Sequence, residues 1–443
     1  MTPYGDTIFA LATPAGRSGV AVLRVSGPMA GTIAEKIAGR LPTPRKAVLR
    51  KFYDQNRVQI DQGLLLWFPA PNSFTGEPVV EFHVHGGQSV VESMFQTLSS
   101  MARTRPARAG EFTRRAFEHG KLDLTAVEGL ADLVAAETES QRRQALRQME
   151  GGLGNIYEVW RRRLLQAQAA IEAEIDFSDE DLPAGLRQNA QIELLGLIKE
   201  MRDHLADGRR GEILRRGFRI VILGAPNVGK SSLLNVLAQR DAAIVTSQAG
   251  TTRDVIEVNL DLGGYLVSIS DTAGLRGTQD AIEAEGIRRA IRTAESADLK
   301  LLVFDACMWP GLDVDTLAWR DSAALCVLNK IDMAAENNTY PPDYLPVSVL
   351  SGDGMDRLLQ HLQQVVADRL GGGETPGLTR ERHRRELTLC LESLERAVNE
   401  DNKVPEFVAE DIRLAAVALG RITGRANVED MLDMLFAEFC IGK

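Results

Sequence analysis

Hydrophobic residues recur with two different periods along this 443-residue chain, and the change of period divides it. Between residues 7 and 120, short apolar runs alternate with helical patterns. Val20-Ala21-Val22-Leu23-Arg24-Val25 predicts a strand, closed by Ser26-Gly27-Pro28 and followed by a helix over 29–40. Gly63-Leu64-Leu65-Leu66-Trp67-Phe68 predicts a buried strand. Val80-Glu81-Phe82-His83-Val84-His85 alternates with a period of two before Gly86-Gly87 and a helix at 88–100. That alternation sets Val80, Phe82 and Val84 on one face and Glu81, His83 and His85 on the other.

From Arg108-Ala109-Gly110-Glu111-Phe112-Thr113 onward the spacing turns helical. Leu124, Val127, Leu130, Ala131 and Val134 make one run, and Ile156, Val159, Trp160, Leu164 and Ala167 mark a second over 155–176. Gly151-Gly152-Leu153-Gly154 predicts the break between them, and a third helix is expected over about 186–206. Apolar strand-like runs return within 217–370. After the glycine-rich linker 371–377, helices resume at 379–399, 405–421 and about 428–439. Helical sequence therefore flanks the second α/β segment on both sides, which predicts that segment to be an insertion into one helical bundle. The expected fold is α/β plus α. An N-terminal α+β domain spans 1–120, a helical domain is split between 121–215 and 373–443, and a domain with a doubly wound sheet, whose glycine loop Gly224 to Ser232 marks it as a Ras-like P-loop domain, is inserted at 216–372.

The inserted segment carries the most specific chemistry. The apolar run Phe218-Arg219-Ile220-Val221-Ile222-Leu223 leads into Gly224-Ala225-Pro226-Asn227-Val228-Gly229-Lys230-Ser231-Ser232 and then a helical pattern. Strand, glycine loop and helix in that order form the phosphate-cradling G-x-x-x-x-G-K-S loop. Glycines let backbone N–H groups face a phosphate, Lys230 neutralises its oxygens, and the Ser231 hydroxyl suits a Mg²⁺ shell. Downstream, Asp271-Thr272-Ala273-Gly274 ends a strand, where the carboxylate reaches the metal shell and the glycine N–H the γ-phosphate. Between them, Ala249-Gly250-Thr251-Thr252-Arg253-Asp254 supplies switch-loop threonines, with Thr252 as a Mg²⁺ candidate. Asn329-Lys330-Ile331-Asp332 selects the base. Asp332 accepts from guanine N1–H and the exocyclic amine, a pair that adenine lacks, while Asn329 addresses the O6/N7 edge. Ser348-Val349 supplies the last base-contacting turn. GTP with Mg²⁺ is the expected ligand.

Hydrolysis needs a group to orient water, and Leu275, next after Gly274, cannot serve. The acidic residues Glu283 and Glu285 on the following segment are candidates. Arg253 and Arg276 could act as arginine fingers or as surface cations. Asn227, beside the phosphates, could offer oxygen to a monovalent cation that replaces a finger's charge. In the N-terminal segment, a carboxylate and two histidines on one strand face lack the further ligands a metal needs. A binding face for a polar small molecule fits Glu81 better, with Arg24 beside it or standing as a strand-end cation.

Composition adds bounds. With 44% hydrophobic and 25% charged residues the chain reads as an ordinary globular protein, and its net charge of −10 predicts no general attraction to nucleic acid. Arginine clusters at 142–147, 161–163, 209–216 and 380–385 are either helix faces paired with nearby glutamates or a local RNA-backbone surface. The four cysteines show no zinc or C-x-x-C spacing, no stretch reaches membrane-span length, and the N-terminus lacks signal-peptide features. A cytoplasmic protein without membrane attachment is expected.

The ordered strings Asp6-Thr7-Ile8, Gly19 to Arg24, Asn72-Ser73-Phe74-Thr75-Gly76-Glu77, His85-Gly86-Gly87, Pro106 to Thr113, Lys121-Leu122-Asp123-Leu124, Gly250 to Asp254 and Cys440-Ile441-Gly442-Lys443 resemble the MnmE (TrmE) family of tRNA-modifying GTPases over the whole length. The resemblance implies a homodimer whose N-terminal domain dimerises and binds 5-formyl- or 5,10-methylene-tetrahydrofolate through Arg24, Glu81, Lys121 and Lys443. It implies potassium-dependent pairing of G domains, with K⁺ held by Asn227 and the loop Thr246-Ser247-Gln248-Ala249-Gly250-Thr251. It places a catalytic glutamate at Glu283 and a possible nucleophile at Cys440, for which a small buried residue is the alternative. It also implies action on C5 of the tRNA wobble uridine in a heterotetramer with MnmG (GidA), which carries the FAD. Ser348-Val349-Leu350 departs from the Ser-Ala usual in the last base-contacting motif. A GTP-switched ribosome-assembly factor is the contrasting reading, disfavoured by the Arg24–Glu81 domain and the terminal tail.

Overall fold

The computed structural model describes residues 5–176, 185–239, 257–271, 291–335, 338–372, 376–398, 404–426, 432, 435–437, 439 and 442. The calls on Thr246 to Thr252, Thr272 to Gly274, Glu283, Cys440 and Lys443 lie outside the described residues. The chain divides into two compact units. One comprises residues 1–131, 154–190 and 399–443, the other 132–153 and 191–398.

In the first unit, β1 (Thr7–Leu11), β2 (Ser18–Ser26), β3 (Val48–Tyr53), β4 (Gln59–Phe68), β5 (Val79–Gly86) and β6 (Thr104–Pro106) form a sheet ordered β3-β4-β5-β2-β1-β6. The β1–β6 pairing is parallel and the others antiparallel. The period-two pattern of β5 buries Val80, Phe82 and Val84 against α1 (Ala30–Ala38) and α2 (Gln88–Ser99). Helix α1 turns Ala30, Ile33, Ala34 and Ile37 toward the same core, a spacing of three and four residues. Full burial of a side chain such as Phe82 contributes about 2–3 kcal/mol.

Helical segments follow as α3 (Glu111–Glu118), α4 (Leu124–Ala135), α5 (Glu139–Met149), α6 (Gly152–Asp176), α7 (Leu186–Leu205) and α8 (Arg210–Arg216). Thr138 and Gln141 close a capping box at the start of α5. The expected glycine break is shorter than the sequence suggests. Only Gly151 turns left-handed, at φ 89°, and α6 begins on Gly152. Gly154 lies inside that helix, where a Cβ would run into the Asp123 carboxylate. Packing, rather than helix breaking, accounts for that glycine.

In the second unit, β7 (Phe218–Leu223), β8 (Glu257–Leu262), β9 (Tyr265–Asp271), β10 (Leu299–Asp305), β11 (Ala324–Asn329) and β12 (Tyr344–Pro346) form a sheet ordered β12-β11-β10-β7-β9-β8. β8 pairs antiparallel with β9, and the remaining pairs are parallel. Apolar clusters lie on both faces: Ile220 and Ile222 face one, Val221 and Leu223 the other. That explains why β7 reads as a continuous apolar run. Helix α9 (Lys230–Ala238) follows β7, while α10 (Met355–Leu370) and α11 (Glu381–Val398) come later; α12 (Pro405–Thr423) belongs to the first unit. Because β7 lies between β9 and β10, the strand order reverses at its C-terminal end, where doubly wound sheets hold ligands. Among the described residues no helix is long and apolar enough to cross a membrane.

Candidate functional site

The chain leaves β7 at Leu223 and turns into α9 through a loop built for close backbone approach. Gly224 sits against the Val303 carbonyl, where a Cβ would not fit, and Gly229 caps α9 with φ 99°. Asn227 is exposed at the loop's crest, in the left-handed conformation with φ 62°. The Lys230 ammonium, drawn back into the loop, donates to the carbonyl oxygens of Gly224 and Ala225 at 2.9 Å each. Ser231, one residue into α9, places its hydroxyl 2.5 Å from Asp271 Oδ2 at the end of β9. Asp271 is 1% exposed. This hydroxyl–carboxylate pair offers hard oxygen donors beside a phosphate loop, which suits Mg²⁺.

The segment expected to read the base lies at the next strand ends. Asn329 is buried at the end of β11, and its amide nitrogen donates to the Val228 carbonyl at 2.8 Å. Its amide oxygen accepts from Val349 N–H at 3.1 Å. The side chain thus braces the phosphate loop against the Ser348–Val349 turn, a role that motif spacing did not disclose. Lys330 has φ 67° and pairs with Asp305 at 2.7 Å. Burial pushes the Asp305 carboxyl up, but the Lys330 ammonium and the Cys307 N–H outweigh it and hold it below its usual range. Asp332 stands exposed on the short turn Ile331–Met333, open to a guanine edge. Ser348 is fully buried; its N–H donates to the Asp353 carbonyl at 2.8 Å and its hydroxyl accepts from Ser351 N–H at 3.1 Å.

In the first unit, Arg24 on β2 and Glu81 on β5 are register partners. Arg24 approaches Glu81 Oε1 through Nε at 3.0 Å and Nη2 at 2.9 Å. The guanidinium also lies 5.5 Å from the Phe74 ring centroid and 5.8 Å from that of Phe112. His83 Nε2 lies 3.3 Å from the other Glu81 oxygen, and this contact, with Arg24, holds the Glu81 carboxyl below its usual pKa against partial burial. His85 turns away to Asp61 on β4 at 2.9 Å. The one-face set of Glu81, His83 and His85 is therefore split, and no group of potential metal ligands gathers among the described residues. Lys121 is exposed beyond α3, and its side chain lies alongside Gly76. Gly442, with φ 103°, packs against the backbone of Leu11 and Ala12, next along β1 from Ala10, the register partner of Arg24.

Beside that face lies an ion network that the sequence reading missed. Arg115 and Glu77 are both fully buried and meet at 3.1 Å. Arg115 Nη2 also reaches Asp6 Oδ1 and Glu111 Oε1 at 3.0 Å each, while Arg105 binds Asp6 and Glu111, both at 2.6 Å. Ser26 Oγ donates to Glu77 at 3.0 Å. Burial pushes Glu111 up, but Arg105, the Arg108 N–H and Arg115 outweigh it and hold the carboxyl at about 2. The signal was present in Asp6, Glu77 and Glu111, each an acidic residue within a marker string. Their common partner, Arg115, sits outside those strings.

The family model for the MnmE helical domain matches residues 124–440, and that for the GTP-binding protein TrmE N-terminus matches residues 7–121. The chain belongs to the MnmE family of GTPases. Its relatives include the tRNA modification GTPase MnmE of Maricaulis maris, 54% identical and covering 99% of both chains. The protein of the same name from Parvibaculum lavamentivorans is 52% identical, over 99% of this chain and 100% of its own. Among solved structures, Era of Aquifex aeolicus bound to GDP and aluminium fluoride is 23% identical over 42% of this chain and 69% of its own, at a TM-score of 0.28. A score that low adds nothing to the fold described above.

Proposed function

We propose that this MnmE-family chain hydrolyses GTP in a potassium-dependent cycle that serves modification of C5 of the tRNA wobble uridine. The observation that carries the nucleotide part is the convergence of Lys230, the Ser231–Asp271 pair and Asn329 at the strand ends beside β7. Ser231 and Asp271 would hold Mg²⁺, which offsets charge on the phosphoryl group being transferred. Lys230 exchanges its loop carbonyls for phosphate oxygens, and Asp332 reads guanine. Asn227, exposed at the loop crest, and the 246–251 segment would hold K⁺, and Glu283 would orient the attacking water.

The substrate part rests on the N-terminal face. The half-buried, ionised Glu81 suits acceptance of ring N–H groups from a tetrahydrofolate, with Arg24 fixed beside it under Phe74 and Phe112. The packing of Gly442 on β1 supports Lys443 and Cys440 acting near that face. The bound folate would supply the one-carbon unit for a carboxymethylaminomethyl or aminomethyl-type group, and the FAD would come from an MnmG partner. Homodimer formation, the cytoplasmic setting, and the 1–120, 121–215, 216–372 and 373–443 organisation belong to the same proposal. Steady-state GTP hydrolysis in KCl against NaCl at equal ionic strength tests it. Strong stimulation by potassium is expected, and equal rates would refute the cation role.

A further inference from the structure

The second unit contains a cavity that neither the nucleotide nor the folate reading uses. It measures about 220 Å³ and lies where α5, α8, the start of β9 and the segment after α10 meet. Arg143, Arg147 and Arg210 line it, and no carboxylate does among the described residues. This is unusual in a chain of net charge −10. Elsewhere several arginines are met directly by carboxylates: Arg161 by Glu158, Arg216 by Asp298, Arg380 by Asp132, and Arg384 by Asp207 and Glu212. Around the cavity, Arg143 Nε shares Glu139 with Arg142, at 2.7 Å. The Arg210 guanidinium lies 3.5 Å from the Gly371 carbonyl, and Arg147 is exposed.

A second observation points the same way. Thr379 lines this cavity, is 2% exposed, and its hydroxyl has no hydrogen-bond partner among the described residues. A buried hydroxyl without a partner is costly, and buried polar groups are almost always satisfied. Converging arginines beside an unsatisfied hydroxyl match one kind of ligand: a small tetrahedral oxyanion, which accepts bidentate guanidinium bonds and a hydroxyl bond together. We infer that this cavity binds a phosphate group, carried either by a small phosphorylated molecule or by an RNA backbone, at a site separate from the GTP phosphates. Tyr265 also lines the cavity and begins the strand that ends in Asp271.

The test uses full-length protein saturated with GDP and Mg²⁺, so that the phosphate loop is filled, and equilibrium dialysis with radiolabelled inorganic phosphate. One saturable equivalent is expected. Thr379→Val and Arg147→Gln should each weaken it about 10- to 100-fold, the range for a hydrogen bond to a charged group. Without phosphate, Thr379→Val should leave the melting temperature unchanged or raise it, because it removes an unsatisfied buried hydroxyl. Displacement of phosphate by unmodified tRNA, together with weaker tRNA binding by Arg147→Gln, would identify the RNA backbone as the source. Phosphate binding indifferent to tRNA would identify a small molecule. Absence of saturable binding, loss of binding on adding GDP, wild-type affinity in both variants, or a lowered melting temperature in Thr379→Val would each overturn the site.

Discussion

Replacing Arg115 with methionine isolates what the buried ion network does. The side chain sits at 0% exposure and holds Glu77, also at 0%, together with Asp6 and Glu111. Removing it leaves Glu77 with Ser26 as its remaining donor and its charge uncompensated. Breaking a buried pair from one side costs about 3–5 kcal/mol, a large part of the 5–15 kcal/mol typical of a folded domain. With a urea slope of about 2 kcal/mol per molar, the midpoint should fall by about 2 M. Trp67 and Trp160 belong to the first unit, while Trp309 and Trp319 belong to the second. Urea unfolding followed by fluorescence in a Trp309→Phe, Trp319→Phe background therefore reports the first unit alone. Adding Glu77→Gln to Arg115→Met removes the stranded charge and should recover part of the loss, a non-additivity expected of direct partners. A midpoint shift under about 0.5 M, or a double variant less stable than the single one, would refute the assignment of Glu77 as the principal partner.

The remaining predictions concern charge, base and water. Glu111 has its folded pKa lowered from 4.5 to about 2, so its contribution is present above about pH 4.5 and is lost as pH falls toward 2. Between pH 5 and 2.5 this one group accounts for at most about 3 kcal/mol of lost stability, so the unfolding free energy from urea titrations should fall by up to that much less in Glu111→Gln than in wild type. Asp332→Asn should weaken GTP and shift preference toward xanthine nucleotides, and competition binding that still favours guanine would contradict the exposed Asp332 as base reader. Glu283→Ala should keep GTP affinity yet lose turnover by about 100-fold or more, checked by single-turnover hydrolysis. Unchanged turnover would remove Glu283 from the mechanism.

What could be read in advance follows from how local each feature is. The glycine loop, Asp271 and Asn329-Lys330-Ile331-Asp332 each occupy a strand end, so chain order alone brought them to one edge of a parallel sheet. Strands at 20–25 and 80–85 were legible because one face of each is buried. Strand β3 was not, since its Arg50 and Lys51 interrupt the alternation and Leu49 is 57% exposed. The Arg115 network joins residues up to 109 positions apart, and no spacing rule connects them. His85 illustrates the reverse error. Alternation set it beside Glu81 and His83, but Asp61 on the neighbouring strand drew it elsewhere.

The brace made by Asn329 bears on how nucleotide choice could be altered. One amide holds both the proposed phosphate loop and the proposed base-contacting turn, so its two tasks cannot vary independently. A substitution there intended to admit another base would also slacken the phosphate cradle, and affinity and selectivity would drift together. Asp332, exposed on a short turn, carries no such double duty. Relaxed or redirected base preference is therefore more accessible through Asp332, and Asn329 behaves as the joint that keeps the two recognition surfaces in step.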